Sequence, residues 1–184
     1  NFTIGVNSNS SVNTVTLNQS LIGTGSMTVN EGATLVVGNY ANLQQSKVDV
    51  AGIMNAEMYA TLNTPINITN TGVGNFYAGN IKNTIANSGT LNVLGYSSKS
   101  LSDSNVITGS IMGNGVVQIG SGNGTEYISN TGTINTTLFV ANGANFYTDI
   151  ENLKNKTTGT YKNIELDSNS YIYINSKNTD SMNL

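Results

Sequence analysis

Two stretches, Asn30-Glu31-Gly32-Ala33-Thr34-Leu35-Val36-Val37 and Asn87-Ser88-Gly89-Thr90-Leu91-Asn92-Val93, carry the same phrase: a polar pair, glycine, one residue, then apolar-polar-apolar. A third copy is Asn130-Thr131-Gly132-Thr133-Ile134-Asn135, and weaker copies surround Gly52, Gly72 and Gly115. Those six glycines stand at intervals of 20, 20, 17, 26 and 17 residues, a mean of 20. Four-stranded propeller blades need about 40 residues, so the period is too short for them, and with only 12 Leu the chain lacks a leucine-rich ladder. A period of about 20 fits one coil of a β-solenoid, with roughly three short strands per coil joined by turns. Alternation along a strand turns Leu35 and Val37, or Leu91 and Val93, to one side together. One coil cannot bury that side alone, but a stack spaced at about 4.8 Å can. The glycines are expected to supply positive φ at turns, and Asn side chains in register to form amide ladders between coils. Asn114-Gly115, Asn123-Gly124 and Asn142-Gly143 also suit two-residue hairpins, which leaves a β-sandwich as the competing architecture.

Composition agrees with an ordered all-β chain. Of 184 residues, 31 are Asn, 23 Thr, 20 Gly and 19 Ser, together about half, yet 38% are hydrophobic and only 9% charged. Val, Ile and Thr number 53 and suit a pleated surface, while good helix formers are scattered. There is no Cys, His, Trp or Arg. Disulfides, thiolate or histidine catalysis and the usual zinc or haem sites therefore fall away. No Arg and a net charge of -3 argue against nucleic-acid partners and anionic membranes. No apolar run is long enough to span a bilayer, and the start at Asn1 lacks a signal-peptide pattern, so the chain reads as a mature product or an excised piece.

The ends differ from the middle. Residues 1-148 read as β-helix coils. Residues 149-184 hold 9 of the 17 charges and read as last coils or a capping segment, since charge on a terminal strand blocks edge-to-edge pairing. Within it, strands are expected at 161-166 and 171-175 around the turn 167-170. The runs 7-13 and 97-105 read as loops, and 176-184 as a frayed tail.

The phrases around Gly32 and Gly89 resemble the repeating coils of autotransporter passenger domains, surface proteins of Gram-negative bacteria exported by type V secretion; the Asn-rich, Arg-free composition is similar to fusobacterial or helicobacter-like members. The resemblance implies a single-stranded right-handed parallel β-helix, here about nine coils, displayed outside the cell in adhesion, autoaggregation or toxin delivery. Cysteine absence fits passage through the outer membrane. The chain departs from that family in carrying no membrane barrel. The expected partner is a surface protein or glycan of a host or bacterial cell, with self-association as a further option.

Candidate sites are few. Glu165 and Asp167 lie two apart on one strand face, and a solvated pair on a capping strand explains them far better than catalysis does. Tyr171 and Tyr173 share one strand face and Ile172 and Ile174 the other; with the isoleucines inside, paired outer rings can stack on a sugar or anchor a protein. An aromatic ladder that merely stabilises neighbouring coils is the favoured account of them. Phe76-Tyr77 and Phe146-Tyr147 place one ring in and one out. No calcium phrase and no evenly spaced Thr-x-Thr face occurs. The expectation is a binding rod without catalysis, cofactor or metal, ligand-binding through Tyr171 and Tyr173. The alternatives are a β-helical carbohydrate-active enzyme of tailspike or lyase type and a vacuolating-toxin-like segment.

Overall fold

The computed structural model describes residues 1–5, 13–98 and 105–175. The tail 176–184 and most of the runs expected as loops, 7–12 and 99–104, lie outside the described residues. The chain is a β-solenoid. Its first turn comprises β1 (Phe2–Ile4), β2 (Thr14–Leu17) and β3 (Leu21–Ile22). Then follow β4 (Ser26–Val29), β5 (Thr34–Val37) and β6 (Asn42–Gln44), and β7 (Lys47–Val50), β8 (Ile53–Ala56) and β9 (Thr61–Leu62). The fourth turn has β10 (Ile66–Ile68), β11 (Val73–Tyr77) and a 3-10 helix, Ala78–Asn80. The fifth has β12 (Ile85–Asn87), β13 (Thr90–Leu94) and β14 (Val106–Ile107). Later turns merge the first two sides into one bent strand: β15 (Ser110–Ile119) with β16 (Glu126–Asn130), and β17 (Thr133–Val140) with β18 (Ala144–Thr148). A 3-10 helix, Ile150–Leu153, precedes β19 (Ile164–Leu166) and β20 (Tyr171–Ile174).

About six turns, from Ser26 to Thr148, form the body, with a partial layer at each end. That is fewer than the nine a strict period of 20 gives. From β12 to β15 the register steps 26 residues, and 149–163 form a 3-10 helix and a turn rather than a full coil. Every strand pair among the described residues is parallel, which removes the sandwich. Asn114-Gly115 lies inside β15, and Asn123-Gly124 and Asn142-Gly143 lie in corners.

The interior is a set of columns. Met27, Val48, Ile66, Ile85, Ile111 and Ile134 stack on the first side, all buried. Leu35, Met54, Gly74, Leu91, Val117 and Leu138 stack on the second. Leu21, Leu43 and Leu62 line the third. Leu35 and Leu91 thus share a column, while Ile134 belongs to another side. The reason lies in the corners. Asn87 Oδ1 accepts from the Gly89 N–H at 3.2 Å, and Asn130 Oδ1 from the Gly132 N–H at 3.1 Å. The same Asn-x-Gly turn serves two different corners, so the phrase recurs on two different sides.

Gly52, Gly72, Gly89 and Gly115 do align, together with Ala33 and Thr136. Their φ angles are not positive, contrary to expectation. A Cβ on each would drive into a carbonyl of the coil beneath: Ala33 and Asn30 at Gly52, Val50 at Gly72, Gly72 and Thr69 at Gly89. Glycine is there for close backbone approach. The column's carbonyls accept from the next coil, Ile53 N–H to Ala33 at 2.9 Å, Val73 N–H to Gly52 at 2.9 Å and Thr90 N–H to Gly72 at 3.1 Å. Thr136 fits the same column because β15 bulges between Met112 and Val116, and its hydroxyl donates to the Gly115 carbonyl.

Amide ladders form as expected. On the outer second side Asn75 Nδ2 donates to Asn55 Oδ1 and Asn92 Nδ2 to Asn75 Oδ1, both at 2.7 Å. At the C-terminal end Leu153 is buried against the core, while β19 is exposed throughout. No helix among the described residues is long and apolar enough to cross a membrane.

Candidate functional site

The corner between the second and third sides is a four-residue turn repeated up the rod. It is closed by Ala41 N–H to the Gly38 carbonyl at 3.1 Å, Ala60 to Glu57 at 2.9 Å, Ala144 to Ala141 at 3.0 Å and Ser170 to Asp167 at 3.3 Å. The third residue of these turns is Tyr40, Tyr59, Gly143 and Asn169 respectively. Three of them take left-handed backbone: Tyr40 at φ 64°, Gly143 at 80° and Asn169 at 54°. Glycine and asparagine tolerate that conformation; a tyrosine is strained by it.

Tyr40, 78% exposed, stacks on Tyr59 with ring centroids 5.1 Å apart and planes 10° from parallel. Tyr77, at the end of β11, stacks on Tyr96, just past β13, at 5.5 Å and 27°. The two pairs belong to four successive coils. Between them lies a depression of about 420 Å³, lined by Tyr59, Tyr77, Asn39, Asn55, Asn75 and Glu57, with Met58 and Leu94. A second depression, about 510 Å³, lies beyond Tyr96 and is lined by Met58, Ser97, Thr125 and Glu126.

Two groups fix this wall. Glu126 is 9% exposed; its Oε2 accepts from the Gly95 N–H at 2.8 Å, and its Oε1 from the Ser121 N–H at 2.8 Å and from the Ser121 hydroxyl. It ties the end of β13 to the loop after β15. Tyr96 is 6% exposed and donates its phenol to the Met58 carbonyl at 3.4 Å. Burial, and next the neighbouring Tyr59 and Tyr77, push its phenol pKa above the usual 10.0.

Tyr171 and Tyr173 lie outside on β20, 54% and 42% exposed, and Ile172 packs against the core. Tyr173 stacks on Tyr147 at 4.4 Å and 8°, donates to Asn145 Oδ1 at 3.3 Å, and has Tyr171 tilted beside it at 6.2 Å. The pair is thus both exposed and part of an aromatic ladder. Phe76 and Phe146 are buried and their Tyr neighbours face outward. Glu165 and Asp167 do not converge on a cleft: Glu165 is exposed on β19, and Asp167 caps its turn by accepting from the Ser168 N–H at 2.7 Å. Among the described residues no three acids gather as metal ligands.

Tyr40, Tyr59, Tyr77 and Tyr96 stand at intervals of 19, 18 and 19 residues. That spacing, equal to one coil, is the sequence signal that identifies the corner strip. A search for tyrosines alternating along strands passes over it, because Tyr40 and Tyr59 sit in turns. Comparison with protein-family models, curated proteins and solved structures finds no match.

Proposed function

We infer that this β-solenoid is a binding rod of the autotransporter-passenger kind, displayed outside a bacterial cell or secreted. It works in adhesion or autoaggregation rather than catalysis. What supports this is the placement of the tyrosines. In a chain with no Trp, seven of the nine tyrosines lie in one corner strip and one patch on the third side, along the outer wall of the stack. Tyrosine offers large contact area at low entropic cost, with a hydroxyl for polar recognition. Repetition along a rod lets several modest contacts act together on a host or bacterial surface.

The test is adhesion of beads coated with the 184-residue chain to epithelial and bacterial cells. Saturable binding that falls several-fold when Tyr59 and Tyr173 are both replaced by Ala is expected. Beads that bind no better than uncoated ones, or a double variant that binds like the parent, refute the reading.

A further inference from the structure

Building on that reading, we propose that the depression between the two stacked tyrosine pairs is a binding site for a neutral oligosaccharide lying along the solenoid axis. Tyr59 and Tyr77 are the stacking platforms, and Asn55 and Asn75 the hydroxyl-reading groups. The depression, about 420 Å³, is open along the surface, which suits a chain-like ligand that lies across it rather than one enclosed by it. Each platform ring is braced by its stacked neighbour, Tyr59 by Tyr40 and Tyr77 by Tyr96, so little freedom is lost when a ligand docks. The amides are equally fixed. Asn75 Nδ2 donates to Asn55 Oδ1 and Asn92 Nδ2 to Asn75 Oδ1, both at 2.7 Å. Each side chain keeps a second N–H and a second lone pair, which is the donor-plus-acceptor set that sugar hydroxyls require.

Charge narrows the ligand. The site has the carboxylate of Glu57, and no Lys lines either depression. The chain has no Arg. A sulfated or uronic-acid polymer would meet a like charge with no cation to offset it. Extended peptides bind by adding a strand to a sheet edge, and this flank has none: β8, β11 and β13 are each paired on both sides.

Calorimetric titration of the 184-residue chain with cellohexaose, maltohexaose and chitohexaose, and with a heparin hexasaccharide as the anionic comparison, tests this. At least one neutral hexasaccharide is expected to bind saturably. Tyr59→Ala and Tyr77→Ala should each weaken it about tenfold, while Tyr161→Ala, an exposed ring in the C-terminal segment that lines neither depression, leaves it unchanged. Asn55→Ala, at an outer position, gives a second variant, its fold checked by circular dichroism, and it too should weaken binding. Failure of all three neutral sugars, preference for heparin, or parental affinity in Tyr59→Ala and Asn55→Ala overturns the proposal. Cell adhesion that persists while every neutral sugar fails sinks this site alone. Sugar binding without cell adhesion sinks the display role alone.

Discussion

Replacing Gly72 by Ala tests the packing on which the rod depends. Gly72 has ordinary backbone geometry, so the substitution costs nothing in φ and would by itself stabilise the fold by about 0.4–1 kcal/mol through the unfolded chain. The added Cβ, however, would overlap the Val50 carbonyl and come within 3.0 Å of Ile68 Cγ2. That carbonyl is already in use: it accepts from the Thr69 N–H at 2.9 Å and from the Thr69 hydroxyl at 3.2 Å. Moving it away weakens those bonds, at about 0.5–1.5 kcal/mol each, and overpacking adds about 1–3 kcal/mol. The net expectation is a loss of about 1–6 kcal/mol. Gly32→Ala is the control. Nothing lies within 4 Å of its Cβ, but its φ is +77°, so its cost of about 1 kcal/mol is purely conformational. Urea unfolding followed by circular dichroism measures both. Because Gly72 lies at mid-stack, its variant should also broaden the transition as the two halves uncouple. If Gly72→Ala were as stable as the parent, close approach of coils would not be what selects glycine in that column.

Glu126→Gln leaves one carbonyl oxygen to accept and turns an amide NH₂ toward either the Ser121 or the Gly95 N–H donor, so unfolding should show a loss of about 1.5–3 kcal/mol; an unchanged midpoint would mean that the carboxylate does not hold this wall. Tyr96 has a raised pKa in the fold, so its contribution to stability is complete below 10.0 and is lost as pH rises through the folded value. Melting temperatures measured from about pH 9 to about pH 11 should fall less steeply in Tyr96→Phe than in the parent, and parallel curves would contradict the assignment.

The sequence made the in-and-out alternation of β5 and β13 legible, because Leu35, Val37, Leu91 and Val93 sit on strands whose outer positions are polar or half-exposed. The amide ladders were legible for the same reason: asparagines one coil apart meet at the strand spacing. The side to which each phrase belongs was not legible. An Asn-x-Gly turn followed by an alternating strand describes the corner at Gly89 and the corner at Gly132 equally well, and only register separates Leu91 from Ile134. Nor could composition reveal that Gly52 and Gly72 answer to a carbonyl from another coil rather than to their own φ, since that contact lies 19 or more residues away in sequence. The corner tyrosines were visible as a spacing, but their stacking depends on the turn that aims them.

That turn also separates what the scaffold needs from what the surface adds. At the third turn position Gly143 and Asn169 meet the left-handed geometry with residue types suited to it. Tyr40 meets it at φ 64°, a cost of about 1–2 kcal/mol for an L side chain. Stacking on Tyr59 returns about 0.5–1.5 kcal/mol, so the two effects nearly cancel. Stability therefore gives no reason to place a tyrosine there, least of all one left 78% exposed. Strain held at an exposed aromatic position, beside a depression with ordered amides, is a feature that the proposed recognition role accounts for and that corner geometry alone does not call for.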